Sequence, residues 1–292
     1  MTFTTRFAPS PTGPLHLGHA YSAMLAHDMA AAENGQFLLR IEDIDQSRSR
    51  PEWEAQILSD LTWLGLSWPQ PVMRQSDRMP IYQAALSALW RHGLLYPCTC
   101  TRRDIAAAAA APQEGAPLTG PDGTIYPGTC RPDKPLEPIT PSPPVGTALR
   151  LDIRAAQHAL DNVPLTFLET GAAIDGRTGT ISTTWSEVQT NIGDIVLARP
   201  AMGTSYHLSV VLDDADQHIT LVPRGADLFD ATVIHVILQH LLNLPTPTYH
   251  HHRLIRDDTG KRLAKRDDAR AIAKYREDGA TPQDIRRLLA LT

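Results

Sequence analysis

Two histidines near the start of the chain, His16 and His19, have a spacing that could serve phosphate chemistry. They flank Gly18 within RFAPSPTGPLHLGH (6–19), after a Pro-rich turn and ahead of an Ala- and Leu-rich segment that predicts a helix. Backbone N–H groups and the dipole at a helix start favour a bound phosphate, imidazoles can donate hydrogen bonds to it, and glycine permits close approach. Two alternatives stay open: the histidines could hold a metal, although no third ligand lies nearby in sequence, or could be surface residues.

The chain has three cysteines, Cys98, Cys100 and Cys130. An odd number of cysteines does not indicate a disulfide framework and favours either metal binding or inert thiols. If a metal is bound, spacing alone allows the fourth ligand to be a water molecule or His92. The remaining interpretation is three thiols without a metal.

The elements around the histidines predict a βαβ unit. Alternating residues 2–8 predict a strand, residues 17–33 a helix that stops at Asn34-Gly35, and residues 36–43 a second buried strand. A strand, helix and strand within about 40 residues imply a parallel sheet, and therefore an α/β fold. We also predict helices over 52–64, 81–93 and 228–242, strands over 148–151, 194–197 and 206–212, and a charged loop leading into a helix over 253–279.

Composition restricts the class of protein. The chain has 292 residues, of which 42% are hydrophobic and 20% charged. Its apolar runs are short of the roughly 20 residues that a membrane span needs, and the N-terminus lacks the features of a secretory signal. We expect a cytoplasmic monomer that does not bind membranes. The formal net charge of −5 means that any nucleic-acid contact must come from local basic patches.

Motifs along the chain resemble those of class I aminoacyl-tRNA synthetases. HLGH (16–19) resembles their HIGH motif, and KRLAKR (261–266) resembles their KMSKS loop. Longer segments resemble the glutamyl branch of this class; they are RFAPSPTGPLHLGH (6–19), LLRIEDID (38–45), YHLSVVLDD (206–214) and VPRGADL (222–228). The resemblance covers nearly the whole chain and implies a Rossmann-type parallel sheet, that of a class I catalytic domain.

Length favours one family within this branch. Only 26 residues follow Arg266, too few for the anticodon-binding region of a glutamyl-tRNA synthetase. A body about 50 Å across would reach one end of a tRNA, not both. The whole chain resembles the glutamyl-Q tRNA(Asp) synthetases. We expect two halves of a catalytic domain (1–97 and 148–244, the second with an acceptor-type insertion), an inserted zinc-binding module (98–147), and the KMSKS-like loop with a short helical C-terminal region and no anticodon-binding domain (245–292).

The resemblance implies a two-step reaction and a glutamate pocket. L-glutamate would be activated with ATP, without tRNA, and then transferred to the queuosine base at the wobble position in the anticodon stem-loop of tRNA(Asp). Arginines would hold the carboxylates of glutamate, and an acid its ammonium group. The residues implied are Arg6 and Arg224 for the carboxylates, Glu42 for the ammonium group, Ser10 and the backbone of Ala8 as assisting groups, and Tyr206 for a hydroxyl.

The resemblance also implies the ATP and metal sites. His16, His19 and Lys265 would be catalytic, and Gly18 and Arg262 would join them in binding ATP with Mg²⁺. Two positions depart from the usual KMSKS-type loop: Arg262 replaces Lys but keeps the charge, and Ala264 replaces Ser and loses a hydroxyl, so we expect slower chemistry at most. A structural Zn²⁺ would be held by Cys98, Cys100, Tyr126 and Cys130. His250, His251 and His252 are interpreted as loop and surface residues.

Three other functions compete. One is a small glutamyl-tRNA synthetase that charges tRNA(Glu) at its 3′ end with the help of a partner. Another is a small-molecule nucleotidyltransferase or ligase, since HxGH also occurs in such enzymes. The third, supported only by Ala264, is a catalytically weak binding protein. Glutamate-dependent ATP–pyrophosphate exchange would distinguish the last two from an enzyme that activates glutamate.

Overall fold

The computed structural model describes residues 2–109, 119–134, 137, 140–172, 175–256 and 270–291. The strands are β1 (Thr4–Phe7), β2 (Gln36–Ile41), β3 (Met73–Arg74), β4 (Leu95–Cys98), β5 (Thr119–Gly120), β6 (Gly123–Thr124), β7 (Ala148–Leu151), β8 (Leu165–Glu169), β9 (Gly179–Thr183), β10 (Ile195–Ala198), β11 (Leu221–Gly225) and β12 (Thr248–His252). The α-helices are α1 (Leu17–Ala32), α2 (Pro51–Trp63), α3 (Met79–Arg91), α4 (Arg102–Ala109), α5 (Ile153–Ala159), α6 (Trp185–Asn191), α7 (Tyr206–Asp216), α8 (Thr232–Leu241), α9 (Ile272–Glu277) and α10 (Pro282–Leu288). Over these described ranges, every helix is too short or too polar to cross a membrane.

The predicted βαβ unit is confirmed at the N-terminus. β1 and β2 pair in parallel, with Arg6 opposite Leu38, and β3 adds a third parallel strand beyond β2. α1 forms the crossover between β1 and β2. Glycine is required where the chain leaves α1, because a Cβ at Gly35 would lie 2.2 Å from the carbonyl oxygen of Phe3.

A second sheet continues on the other side of β1. Its strand order is β11-β12-β8-β9, with only β9 antiparallel. The N–H of Thr220, just before β11, donates to the Thr4 carbonyl at 3.0 Å, and the Arg6 guanidinium reaches the Pro223 carbonyl at 3.5 Å. β11 therefore runs beside β1 in the same direction. The Rossmann-type α/β arrangement is confirmed, and its binding edge lies at the carboxyl ends of β1, β2 and β11.

A third, antiparallel sheet has the order β10-β7-β4. Cys98 at the end of β4 pairs with Ala148 at the start of β7. The segment between them thus leaves and re-enters the structure at neighbouring strand ends, as an inserted module would, and it contains the short β5–β6 hairpin. The division of the chain into four segments stays a prediction.

The predicted strand over 206–212 is wrong, because these residues begin helix α7. Ser205 caps this helix by accepting a hydrogen bond from the N–H of Leu208 at 3.4 Å. Seven of its residues are buried, polar ones among them, so the segment has only a small exposed face. A helix buried on most sides loses its apolar periodicity and cannot be told from a buried strand by pattern alone.

The remaining elements agree with the sequence to within a few residues. The predicted helices correspond to α2, α3 and α8, and the predicted strands to β7 and β10. The helix predicted from residue 228 begins at Thr232, after a 3₁₀ turn at Ala226–Leu228. α9 confirms a helix after the charged loop, whereas residues 257–269 of that loop lie outside the described residues.

The C-terminal helices complete an apolar core beneath the first sheet. Ile272 of α9, Ile285 of α10 and Leu289 are each 0% exposed and pack in one cluster with Met24 of α1 and Ile41 of β2. These helices therefore belong to the same folded body as β1 and β2. A separate apolar cluster lies under the second and third sheets.

Leu289 and Leu288 give a matched test of this core, since the first is 0% and the second 59% exposed. Leu289→Ala should lower the free energy of unfolding by about 2–5 kcal/mol, through lost burial and a cavity. Leu288→Ala should change it by less than about 0.5 kcal/mol. Urea unfolding followed by circular dichroism measures both, and equal losses would contradict the packing of α10 described above.

Candidate active site

A network of buried charges lies at the carboxyl ends of β1 and β2. Arg6 donates through Nε and Nη2 to the two carboxylate oxygens of Asp214 at 3.1 and 3.4 Å. Arg40, which is 0% exposed, donates through Nη1 to Asp214 at 2.7 Å and through Nη2 to Glu42 at 3.2 Å. Asp214 thus joins helix α7 to both strands, and Glu42 lies beside this pair of arginines.

The pKa values of the acids follow from these contacts. Burial alone would raise the pKa of Asp214, but Arg6 and Arg40 outweigh burial and lower it below its usual value. Burial raises the pKa of Glu42 above its usual value, although Arg40 and Arg6 oppose it. The pKa values of the two acids are thus shifted in opposite directions, and Glu42 is the one whose protonation the site makes easier.

Arg224 lies on β11 and is also buried, with 5% of its surface exposed. Its Nε–H donates to His251 at 3.0 Å and its Nη1 to His235 at 3.1 Å. Its Nη2 donates to the Leu228 carbonyl at 3.2 Å and to the Thr232 hydroxyl at 2.7 Å. All four acceptors are uncharged groups if both histidines are neutral.

The structure brings the predicted glutamate-site residues together. The half-buried Tyr206 lies at the start of α7, close enough to Glu42, Arg6 and Arg224 for their charges to affect it; burial raises the pKa of its phenol above the usual value, and the two arginines oppose this. Ala8 and Ser10 follow β1, where the Glu42 N–H donates to the Pro9 carbonyl at 3.0 Å. Their assignment to glutamate stays a prediction.

His16 and His19 lie at the start of α1, as predicted. His16 caps the helix by accepting a hydrogen bond at Nδ1 from the Gly18 N–H at 3.1 Å, and Nδ1 of His19 accepts from the His16 N–H at 3.2 Å. The two rings stack with centroids 3.8 Å apart. Because each Nδ1 is an acceptor, each neutral ring carries its proton on Nε2, as a phosphate donor requires. A Cβ at Gly18 would lie 3.0 Å from the His16 ring, so a side chain there would crowd it.

The described residues that follow the KMSKS-like motif lie beside these histidines. Lys261, Arg262, Ala264 and Lys265 lie outside the described residues. Just after them, the Ile272 N–H donates to the Leu15 carbonyl at 2.8 Å, and Ala271 forms a bridge with His16. These following residues are therefore fixed next to the start of α1.

The three cysteines form one cluster, consistent with a metal site. The sulfur atoms of Cys98, Cys100 and Cys130 lie within 4.8 Å of one another. The Tyr126 hydroxyl is 3.5 Å from the sulfur of Cys98 and 3.4 Å from that of Cys100, and it accepts a hydrogen bond from the Cys130 N–H at 2.7 Å. In the described part of the chain this is the only group of three His, Cys, Asp or Glu residues with such spacing. His92 is exposed at the end of α3 and is not part of it.

A cation lies next to the cluster, in which the pKa of the Cys100 thiol is raised above its usual value and that of Cys130 is lowered. Arg150 donates through Nε to the Cys98 sulfur at 3.3 Å, and its guanidinium carbon lies 3.7 Å from the centre of the Tyr126 ring. Burial opposes ionisation of Cys130, but hydrogen bonds led by that of Tyr126 lower the pKa of this thiol to about 6. Thiolates are the form in which cysteine binds metals.

Comparison with known proteins identifies the family. The catalytic-domain family of class I tRNA synthetases for Glu and Gln matches residues 2–117 and 169–292. The glutamyl-Q tRNA(Asp) synthetase of Rhodobacter capsulatus is 60% identical over 292 residues, which cover 98% of this chain and 99% of that protein. The chain belongs to the glutamyl-Q tRNA(Asp) synthetase family. Another relative of the same name, from Deinococcus radiodurans, is 39% identical over 100% of this chain and 89% of its own length.

Solved structures support the fold. A glutamate tRNA ligase from Elizabethkingia meningosepticum superimposes with a TM-score of 0.75 at 24% identity, over 100% of this chain and 61% of that chain. This chain therefore spans less than two thirds of that ligase. At this level of identity the likeness establishes the shared class I catalytic fold.

The interpretation of the three consecutive histidines as loop and surface residues is wrong. They lie in strand β12, between β11 and β8. His251 is 1% and His252 6% exposed, and His250 is half-buried. A run of three polar residues resembles a loop, but inner strands of a parallel sheet are covered on both faces.

The sequence did not assign several residues to this network, namely Arg40, Glu169, Asp214, His235 and His251. Arg40 and Asp214 lie within the family-like segments 38–45 and 206–214. Treated as a strand, the second segment would separate Tyr206 from Asp214 by about 26 Å. As a helix, the segment brings the two residues to about 12 Å from each other and places them on the same face. The other three residues had no local signal, because distant segments bring them together.

Asp214 should be essential for the network to remain folded. Asp214→Asn removes the charge that two buried arginines share and should lower the free energy of unfolding by about 3–5 kcal/mol. Asp216→Asn is the matched control, because the Asp216 side chain is 52% exposed and pairs with Arg78 at the surface, and it should cost less than about 1 kcal/mol. Urea unfolding measures both; an equally small effect at Asp214 would contradict the charge pairing.

Proposed function

We propose that this chain activates L-glutamate with ATP, without tRNA, and transfers the glutamyl group to the queuosine base of tRNA(Asp). The observation that carries this function is the match to the Rhodobacter capsulatus glutamyl-Q tRNA(Asp) synthetase, 60% identical over 99% of that protein. The charges of Arg6, Arg224 and Glu42 at the ends of β1, β2 and β11 support it, because glutamate needs two cationic groups and one anion.

Two arginines and one acid would supply these charges. Arg224 would bind one carboxylate of glutamate and Arg6 the other, while Glu42 would bind the ammonium group. Arg6 already uses Nε and Nη2 for Asp214 and Nη1 for the Pro223 carbonyl, so it would meet glutamate through its remaining N–H groups. Tyr206, Ser10 and the backbone of Ala8 would add hydrogen bonds. Fixed, buried donors favour glutamate over amino acids without the second carboxylate.

Activation would follow at the start of α1. An oxygen of the glutamate α-carboxylate attacks the α-phosphorus of ATP, which forms glutamyl-adenylate and releases pyrophosphate. The Nε2–H groups of His16 and His19 would donate to phosphate oxygens as charge builds up, and Gly18 leaves space for the nucleotide. Lys265 and Arg262 would neutralise the departing pyrophosphate. Mg²⁺ would accompany ATP, held mainly by the phosphates.

Transfer needs no covalent enzyme intermediate. A hydroxyl of the queuosine base attacks the activated carbonyl carbon, loses its proton, and displaces AMP to leave a glutamyl ester on the base. The pocket would keep the glutamyl group in place for this step, so catalysis rests on positioning and charge stabilisation.

A structural zinc ion fits the cysteine cluster. Zinc with sulfur ligands at about 2.3 Å and an oxygen at about 2.0 Å gives S–S separations of about 3.8 Å and S–O separations of about 3.5 Å in a tetrahedron. Tyr126 lies 3.5 and 3.4 Å from two sulfurs, and Cys100 and Cys130 are 3.4 Å apart. Burial raises the pKa of Tyr126, so the tyrosine would bind as phenolate only with the help of the cation.

The function is tested by charging of purified tRNAs with labelled glutamate. We expect label on tRNA(Asp) that contains queuosine and none on tRNA(Asp) made without queuosine, because the acceptor hydroxyl belongs to the modified base. Purified tRNA(Glu) serves as the comparison substrate. Label at the 3′ end of tRNA(Glu) instead would overturn the proposal in favour of a glutamyl-tRNA synthetase.

The role of Glu42 predicts a pH dependence. The pKa of Glu42 is raised above its usual 4.5, and only the ionised form attracts the ammonium group. The KM for glutamate should therefore rise as the pH falls, and this rise should begin at a higher pH than it would for a glutamate side chain with an ordinary pKa. Glu42→Gln should raise the KM at all pH values and flatten this dependence. The exposed Glu52→Gln should keep it; an unchanged profile in Glu42→Gln would disprove the assignment.

The metal assignment is tested by zinc content and affinity. Purified protein should contain one zinc per chain by mass spectrometry. Cys130→Ser should lose most of it, and Tyr126→Phe should retain it but release it to a competing chelator roughly tenfold more readily. His92→Ala is the control for the alternative ligand. If His92→Ala loses zinc and Tyr126→Phe holds it as tightly as the wild type, then His92 and not Tyr126 is the fourth ligand.

A further inference from the structure

We propose that Glu169 and His251 are positioning residues, which hold the Arg224 guanidinium in the orientation needed for a glutamate carboxylate. The inference rests on the proposed function, because that function assigns Arg224 to the substrate. Neither residue need touch glutamate, ATP or RNA. They act through one fixed line of hydrogen bonds.

This line runs from β8 through β12 to β11 and is shielded from water. A carboxylate oxygen of Glu169, Oε2, is hydrogen-bonded to Nδ1 of His251. Nε2 of the same ring accepts from the Nε–H of Arg224 at 3.0 Å. Both Glu169 and His251 are 1% exposed and Arg224 is 5% exposed, so water cannot readily replace either partner.

The donors and acceptors along the line allow one arrangement of protons. A guanidinium group only donates hydrogen bonds, so Nε2 of His251 must be an acceptor and carry no proton. The proton of the neutral ring is then on Nδ1, where it is donated to Glu169. Burial lowers the pKa of His251 below its usual value, although Glu169 opposes it. The neutral ring with its proton on Nδ1 is thus the form that the pocket holds.

Backbone groups fix the orientation of Glu169 in turn. Its other oxygen, Oε1, accepts from the N–H of His251 at 2.9 Å and from the N–H of Gly171 at 2.7 Å. Glycine is required for this approach, because a Cβ at residue 171 would lie 2.9 Å from Oε1 and 2.2 Å from the His251 carbonyl oxygen. Oε2 is therefore the oxygen that must face the imidazole.

A second histidine holds the other side of the guanidinium by the same logic. Nδ1 of His235 accepts from Arg224 Nη1 at 3.1 Å, so its proton lies on Nε2 and is donated to Nδ1 of His207 at 3.1 Å. Burial, together with the charge of Arg224, holds the pKa of His235 well below its usual value. Four of the five N–H groups of Arg224 thus meet neutral acceptors, which leaves one N–H of Nη1 and an uncompensated positive charge for the substrate.

Glu169→Gln would reverse the polarity of the line while keeping its shape. The amide oxygen must take the place of Oε1, since two backbone N–H groups point at it. The amide N–H₂ then faces Nδ1 of His251, which has to become an acceptor and move its proton to Nε2. That proton meets the Nε–H of Arg224, so two donors face each other. The proton can turn towards the Thr232 hydroxyl, 3.3 Å from Nε2, but either way Arg224 loses its acceptor at Nε and the guanidinium must shift.

The experiment measures glutamate-dependent ATP–pyrophosphate exchange together with histidine NMR. For Glu169→Gln we expect the KM for glutamate to rise roughly tenfold or more, with the KM for ATP and kcat within about threefold. In ¹⁵N-histidine spectra, the His251 signals should change from the Nδ1–H to the Nε2–H tautomer. His251→Gln identifies these signals by their loss. Glu52→Gln, an exposed change of the same type, should leave KM and spectra as in the wild type.

Rescue distinguishes positioning from a general structural effect. A glutamine amide oxygen can take the position of imidazole Nε2 and accept from Arg224 without help from Glu169. The double variant Glu169→Gln/His251→Gln should therefore recover most of the affinity for glutamate, whereas His251→Leu should not. The comparison of the double variant with His251→Leu also tests the proposal if Glu169→Gln alone fails to fold.

The outcomes separate this inference from the proposed function. A normal KM in Glu169→Gln, an unchanged tautomer, or equal KM values in His251→Gln and His251→Leu would overturn the positioning role. Absence of glutamate-dependent exchange in the wild-type protein would instead refute the proposed function. The tautomer change is measured without substrate, so the line of hydrogen bonds is tested in either case.

Discussion

Three buried guanidinium groups, those of Arg6, Arg40 and Arg224, impose the constraint on which the site depends. Each is less than 7% exposed, and an ion removed from water costs several kcal/mol unless acceptors surround it. The fold supplies these acceptors from strands and helices that are distant in sequence. Asp214 of α7 meets Arg6 and Arg40, while histidines of β12 and α8 meet Arg224. The architecture that satisfies these cations is therefore also the architecture of the pocket.

The two sides of the pocket treat their arginines differently. Arg6 and Arg40 are in contact with carboxylates, so much of their charge is already compensated. Among the described residues, no carboxylate lies within 4.0 Å of Arg224, whose partners are histidines, a hydroxyl and a carbonyl. Neutral acceptors hold the guanidinium in place and leave its charge uncompensated. A carboxylate of the substrate would compensate this charge. Neutral imidazoles suit such a site, because they hold the guanidinium in place without adding negative charge of their own.

Patterns local in sequence predicted the fold well and the site only in part. The βαβ unit follows from alternation, a glycine stop and chain handedness, and the cysteine cluster from ligand type. The prediction failed at helix α7, because its mostly buried sequence, with two adjacent valines, matches a strand equally well. That error hid Asp214, which shares a helical face with Tyr206. Glu169, His235 and His251 could not be predicted, since their meaning comes from hydrogen bonds between strands β8, β11 and β12 and helix α8.

The most direct test of a pocket with preset charges is ATP–pyrophosphate exchange without any RNA, with L-glutamate, L-glutamine and L-aspartate compared at equal concentration. The arrangement of Arg6, Arg224 and Glu42 predicts exchange with glutamate and almost none with the other two. Glutamine lacks the second carboxylate, and aspartate is one methylene too short for fixed partners. Exchange that requires tRNA, or that is equally fast with glutamine, would contradict a pocket that is complete and selective before RNA binds.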